Sequence, residues 1–170
     1  MSIFAVMNRT RLLNRSYQIM VPKKILVCTD FSENSVLARI CSIEYAKAFG
    51  AELLVLHVVN SRLFGYPGFA ANAPAEMALI EEHIRRGVEE ELELIGNDCK
   101  REIDEVNTYS RTGAPAEEIV NFADEESVGL IIMGTHGWSG ARHLIMGSTA
   151  ENVVRTANCP VLTLKSSAKS

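Results

Sequence analysis

Ile25-Leu26-Val27-Cys28-Thr29 is a continuous apolar run with polar residues on either side, and residues 53–59 form a second run broken only by His57. Uninterrupted apolar strands of this length are buried on both faces, which happens where helices cover a sheet from above and below. Further short runs lie at residues 128–133 and 160–164, with a weaker, partly alternating one at residues 103–110. None approaches the ~18 apolar residues of a membrane span. These runs constrain the fold more than any other feature of the chain.

Helical spacing fills the intervals. Ser32 can cap a helix in which Val36, Leu37, Ile40, Tyr45 and Ala48 recur as the apolar side, up to Gly50. Met77, Ile80, Ile84, Val88, Leu92 and Ile95 mark a long amphipathic helix with charged residues, His83 among them, outside, and Gly96-Asn97 as its stop. Gly113-Ala114-Pro115 opens a helix with Pro115 where a missing N–H costs nothing, and Ile119, Phe122 and Ala123 line its inner side. Residues 148–157 form the last helix. Strands alternating with helices mean a parallel sheet with crossover helices on both faces. At 170 residues with no internal repeat, one such domain accounts for the chain.

The chemistry lies in residues 133–151, MGTHGWSGARHLIMGSTAE. Gly134 follows directly on the fourth strand, Gly137 comes three residues later, and Gly147-Ser148 opens the last helix. Glycine lets backbone N–H groups point into a concavity and lets a phosphate approach without a Cβ in the way. A helix N-terminus adds unbonded N–H groups and the positive end of its dipole. In an open α/β sheet, ligands bind outside the carboxyl ends of the strands, where the winding reverses. A second reading needs no ligand: the glycines are turn residues, and Ser148 with Glu151 forms a capping box.

Other features narrow the classes. A net charge of −4 argues against nucleic acid, which selects a basic stripe. Cys28, Cys41, Cys99 and Cys159 are scattered without a C-x-x-C pair, as expected of buried thiols in a reducing, cytoplasmic setting. There is no G-x-x-x-x-G-K-[ST], and the first strand ends in Thr29-Asp30-Phe31-Ser32, not in a dinucleotide-binding glycine turn. Residues 1–20 carry Arg9, Arg11 and Arg15 and no acid, with the charges after the apolar start, so they do not read as a secretion signal. They read as an unstructured arm or start-site extension, or as a transit peptide. Residues 21–165 read as the domain and 166–170 as a flexible tail. Residues 61–72, with Phe64, Tyr66 and Phe69, form a long glycine- and proline-rich connection that serves as a lid or as a partner patch.

The pattern G-x-x-G, nine residues, then G-[ST], met by Gly134, Gly137, Gly147 and Ser148, resembles the nucleotide-binding motif of the universal stress proteins. The stretch from Lys23 through Ser32, with Leu56-His57-Val58, Gly113-Ala114-Pro115 and Cys159-Pro160-Val161-Leu162, resembles other family segments in the same order. The resemblance implies a single open five-stranded parallel sheet, Rossmann-like, in strand order 3-2-1-4-5 with helices on both faces. It implies the ATP-binding branch and a regulatory module in stress response, with at most weak hydrolysis. By the same resemblance Thr29 and Asp30 contact base and ribose, Asp30 with a Mg2+ role besides, and Val58 meets the adenine. Cys28, where the family often has alanine or proline, and Met133 help to line the pocket. Gly134, Gly137, Gly147, Ser148 and Thr149 surround the phosphates of ATP, ADP or AMP. His136 stands as pocket wall or turn-former, and Arg142 as phosphate ligand or solvated loop residue. Family members pair through their last strand, which implies a homodimer through Val161–Leu164. A dimeric scaffold with incidental nucleotide is the competing reading.

Overall fold

The computed structural model describes residues 21–61, 74–135 and 146–165. In chain order the elements are β1 (Lys24–Thr29), α1 (Glu33–Phe49), β2 (Glu52–Asn60), α2 (Pro74–Lys100), β3 (Val106–Gly113), α3 (Pro115–Glu125), β4 (Leu130–Gly134), α4 (Ser148–Thr156) and β5 (Val161–Leu164). The five strands form one sheet in the order β3-β2-β1-β4-β5, with every neighbouring pair parallel. This is the expected Rossmann-like architecture.

The pleat sends alternate residues of each strand to opposite faces. Ile25, Val27, Leu53, Val55 and Ile132 pack with Ala38 and Ala46 of α1 and with Val88, Leu92 and Cys99 of α2. On the other face Leu26, Leu54, Leu56, Ile131 and Met133 pack with Ile119, Phe122 and Ala123 of α3 and with Ala150 and Val153 of α4. Two apolar layers therefore sandwich the strands, which is why β1 and β2 read as continuous runs.

Three details differ from the sequence reading. The helix α2 does not stop at Gly96-Asn97 but runs on to Lys100. Gly96 serves close packing instead, since a Cβ there would lie 2.9 Å from Thr108 Cγ2 on β3. Ile103 is not in a strand; its N–H donates to Cys99 O in the turn that closes α2, and β3 begins at Val106.

The third difference concerns α1. Its buried residues are Ser35, Ala38, Ser42 and Ala46, whereas Val36, Leu37, Ile40 and Tyr45 face outward. The small inner face lets the helix lie close to β1 and β4. The buried hydroxyls cost little because Ser35 Oγ donates to Ser32 O at 2.7 Å and Ser42 Oγ to Arg39 O at 2.7 Å. The helix ends as expected at Gly50, whose φ of 61° is the left-handed conformation that favours glycine.

Candidate functional site

The strands β2 and β4 lie on either side of β1, so the chain winds in opposite directions from it and leaves a crevice at its carboxyl end. The turn leaving β1 is held by a chain of local hydrogen bonds. Asp30 Oδ1 accepts from Ser32 N at 3.1 Å and from Ser32 Oγ at 2.5 Å. Thr29 Oγ1 accepts from Phe31 N at 3.1 Å and donates to Ser35 Oγ at 3.1 Å. Ser32 occupies the N-cap position of α1, but its hydroxyl turns back to Asp30 and caps nothing, contrary to the sequence reading.

Phe31 takes φ 63°, a conformation costly for a side chain this large and met most often at functional turns. Its ring stacks on His57 with centroids 4.3 Å apart, and His57 Nδ1 donates to Thr29 O at 2.9 Å. His57 is thus the satisfied structural histidine that its place in a buried strand suggests. It also anchors the turn that carries Thr29 and Asp30.

Burial pushes the His57 imidazole below its ordinary value, against the smaller opposing effects of the Thr29 carbonyl and the Asp30 charge. A lowered folded value means that the unfolded chain binds the proton more readily. Stability from His57 is complete above the unfolded value near 6.5. It drains as pH falls toward the depressed folded value. Melting temperature should drop between pH 7.5 and 5.5, and His57→Gln should show a shallower drop over that window. An equal slope in both proteins would overturn this assignment.

Cys28, Val58, Met133 and Met146 belong to one apolar cluster on the α3/α4 face, beside Ala150 at the start of α4. Burial in that cluster, with a lesser effect from Cys159, pushes the Cys28 thiol up to about 12. Such a thiol is an apolar wall and not a nucleophile. Met146, Thr135 and Phe31 lie at the same end of the sheet, which spacing alone did not indicate.

The glycine segment is closed at its base. Thr135 N donates to Leu164 O at 2.9 Å, and Gly147 N donates to Thr135 O at 2.7 Å, so the two ends of the intervening loop meet at the carboxyl end of β4. Gly147 is the N-cap of α4, with φ −75° and ψ 155°, and no side chain among the described residues caps this helix. Ser148 is its first helical residue, so the capping box with Glu151 does not form. The N–H groups of Ser148 and Thr149 stand in the turn that has no intrahelical acceptor. The structure therefore brings Cys28, Thr29, Asp30, Val58, Met133, Gly134, Gly147, Ser148 and Thr149 to one end of the sheet. His136, Gly137, Arg142, Phe64, Tyr66 and Phe69, which the sequence also marks as candidates, lie outside the described residues.

An open, wholly parallel five-stranded sheet with a closed glycine segment at its switch point defines a Rossmann-like α/β protein. The chain belongs to the universal stress protein family, whose profile matches residues 22–165. It is 36% identical over 144 residues to universal stress protein MJ0531 of Methanocaldococcus jannaschii, covering 84% of this chain and 82% of that protein. It is 32% identical over 157 residues to MJ0577 of the same organism, covering 84% and 94%. The solved structure of MJ0577 superposes with a TM-score of 0.78 at 29% identity, covering 88% of this chain and all of that one. A universal stress protein crystallised in complex with cAMP has the same fold, with a TM-score of 0.61 at 23% identity and coverage of 85% and 97%.

Proposed function

We propose that this chain binds an adenine nucleotide at the carboxyl ends of β1, β2 and β4 and acts as a regulatory module in a cytoplasmic stress response. The observation that carries the reading is the glycine segment. Gly134 is in extended strand and Gly147 has φ −75°, so neither needs glycine for its backbone conformation. What glycine supplies at both is the space of a missing Cβ, beside a helix start that no side chain among the described residues caps. The cAMP complex of a family member supports the same ligand class.

In this reading residues 21–165 are the binding unit. Thr29 and Asp30 take base and ribose, while Cys28, Val58 and Met133 form the apolar wall. Gly134, Gly137, Gly147, Ser148 and Thr149 surround the phosphates, with His136 and Arg142 contributing from the loop. Among the described residues no group of three metal-ligating side chains forms. A Mg2+ carried with ATP would take Asp30 as one ligand and phosphate and water for the rest, which suits an ion that keeps much of its hydration. With one carboxylate at the turn, hydrolysis is at most slow.

The test is to denature protein purified from cells, identify any released nucleotide, and titrate ATP and AMP with magnesium by calorimetry. Binding of one nucleotide per chain is expected. Absence of binding by either would refute the reading.

A second reading has its own observation. Among the described residues the strand β5 is an edge of the sheet, paired with β4 alone and carrying Val161, Leu162 and Leu164 half-buried. Apolar edges of this kind are covered in stable proteins, and we assign the cover to a second copy pairing along β5. Sedimentation at micromolar concentration should give a dimer, which Thr163→Pro converts to monomer by removing a donor from the edge. A monomeric wild type would reject the pairing.

A further inference from the structure

The helix α1 carries large apolar residues outside its small-residue inner face, interspersed with the exposed Glu33, Glu44 and Lys47. The sheet covers only the small-residue face. Val36, Leu37, Ile40, Tyr45 and Phe49 are between 37% and 55% exposed, and they run the length of the helix. Residues 1–20 of the same chain bring Ile3, Phe4, Val6, Leu12, Leu13 and Ile19 together with Arg9, Arg11 and Arg15, and no acid.

Connectivity puts this segment at the foot of α1. The described chain begins at the exposed Val21, just before β1, and Lys24 is in register with Glu52, three residues past Phe49. The segment therefore leaves the domain at the end of the sheet where Phe49 lies. From Val36 to Phe49 the helix is about 20 Å long, and 20 residues span about 30 Å even if wholly helical. Charge agrees as well. The three arginines give the segment +3 in a chain of net −4, so the remainder carries −7. Along α1 itself Glu33 and Glu44 are balanced by Arg39 and Lys47, with Lys47 Nζ 3.4 Å from Glu44 Oε1, so the charge match is to the domain as a whole and not to this helix.

We propose that residues 1–20 dock back on the outward apolar face of α1 in the same chain, as an intramolecular cover. A second copy is the weaker occupant, because it would leave the apolar residues of the arm and its +3 charge unmatched.

Hydrogen exchange and limited trypsin digestion of the full chain test the proposal. Residues 3–19 should exchange more slowly than a free peptide of the same sequence, with protection unchanged on dilution. Ile40→Glu on α1, and separately Leu12→Ser with Leu13→Ser in the arm, should each remove the protection and speed cleavage at Arg9 and Arg11 roughly tenfold, since cleavage follows the undocked population. Ile40 is exposed, so its variant should keep the wild-type melting profile of the domain. Peptide-like exchange of residues 3–19 in the wild type overturns the proposal. So does protection that fades on dilution together with a dimer, which would make the second copy the occupant.

Discussion

Gly147→Val should lose nucleotide affinity by roughly a hundredfold, about 2.7 kcal/mol, while the domain stays folded. The backbone of Gly147, with φ −75° and ψ 155°, is open to any residue, so the substitution introduces no conformational strain. Valine is a poorer N-cap than glycine, which costs the helix about 1 kcal/mol. The affinity loss arises elsewhere, from a branched side chain standing where phosphate must approach the N–H groups that open α4. Gly147→Ser makes the contrast sharper. Serine is a favoured N-cap and should hold or slightly raise the melting temperature. Its hydroxyl would nevertheless take the N–H groups that a phosphate needs, and at least about tenfold of affinity should go with them. Gly134→Ala, which adds one methyl at the end of β4, should weaken binding in the same assay. Calorimetry on all three beside thermal melts decides the matter. Unchanged affinity in the valine variant would remove the phosphate site from this loop.

Phe122→Ala should be among the most damaging single changes to stability, about 3–5 kcal/mol. Phe122 is 2% exposed on the inner side of α3 and belongs to the apolar cluster under that helix. Its ring meets Tyr109 at 4.8 Å between centroids, and the Arg111 guanidinium lies over its face at 5.4 Å. Arg111 is in turn paired with Glu125 at the end of α3. Alanine would leave a cavity and remove the aromatic face that both β3 residues rest on. At about 2–4 °C per kcal/mol for a domain near this size, melting should fall by about 10 °C. A loss under about 1 kcal/mol would mean that α3 closes over the gap, and that its seat on the sheet is looser than the packing implies.

The sequence disclosed the strands of this protein better than the faces of its helices. Continuous runs such as residues 25–29 can be buried on both sides only in a covered parallel sheet, so composition and architecture are tied. In α1 that tie fails. Periodicity marks large apolar residues as the buried face, yet close approach to the sheet selects Ser35, Ala38, Ser42 and Ala46 instead. A small residue gives little hydrophobic signal, so a helix seated on small residues reads inside out. Gly96 is a similar case, because a glycine that permits contact with Thr108 looks the same in sequence as one that ends a helix. The candidate site was legible at Gly134, Gly147 and Ser148 through their spacing. The aromatic pair Phe31 and His57 was not, because its members meet across two strands and one of them depends on a left-handed backbone.

The backbone of Thr135 binds two parts of the molecule at once. Its N–H holds Leu164 at the end of β5, and its carbonyl holds Gly147 at the mouth of the glycine segment. A single residue thus joins the edge on which a second copy is proposed to pair and the loop in which a nucleotide is proposed to sit. Events at the two places cannot then be energetically independent if either moves that residue. Thermodynamic linkage makes the traffic symmetric: whatever factor nucleotide applies to self-association, self-association applies to nucleotide affinity. A protein wired in this way would respond to its own abundance as well as to the nucleotide pool.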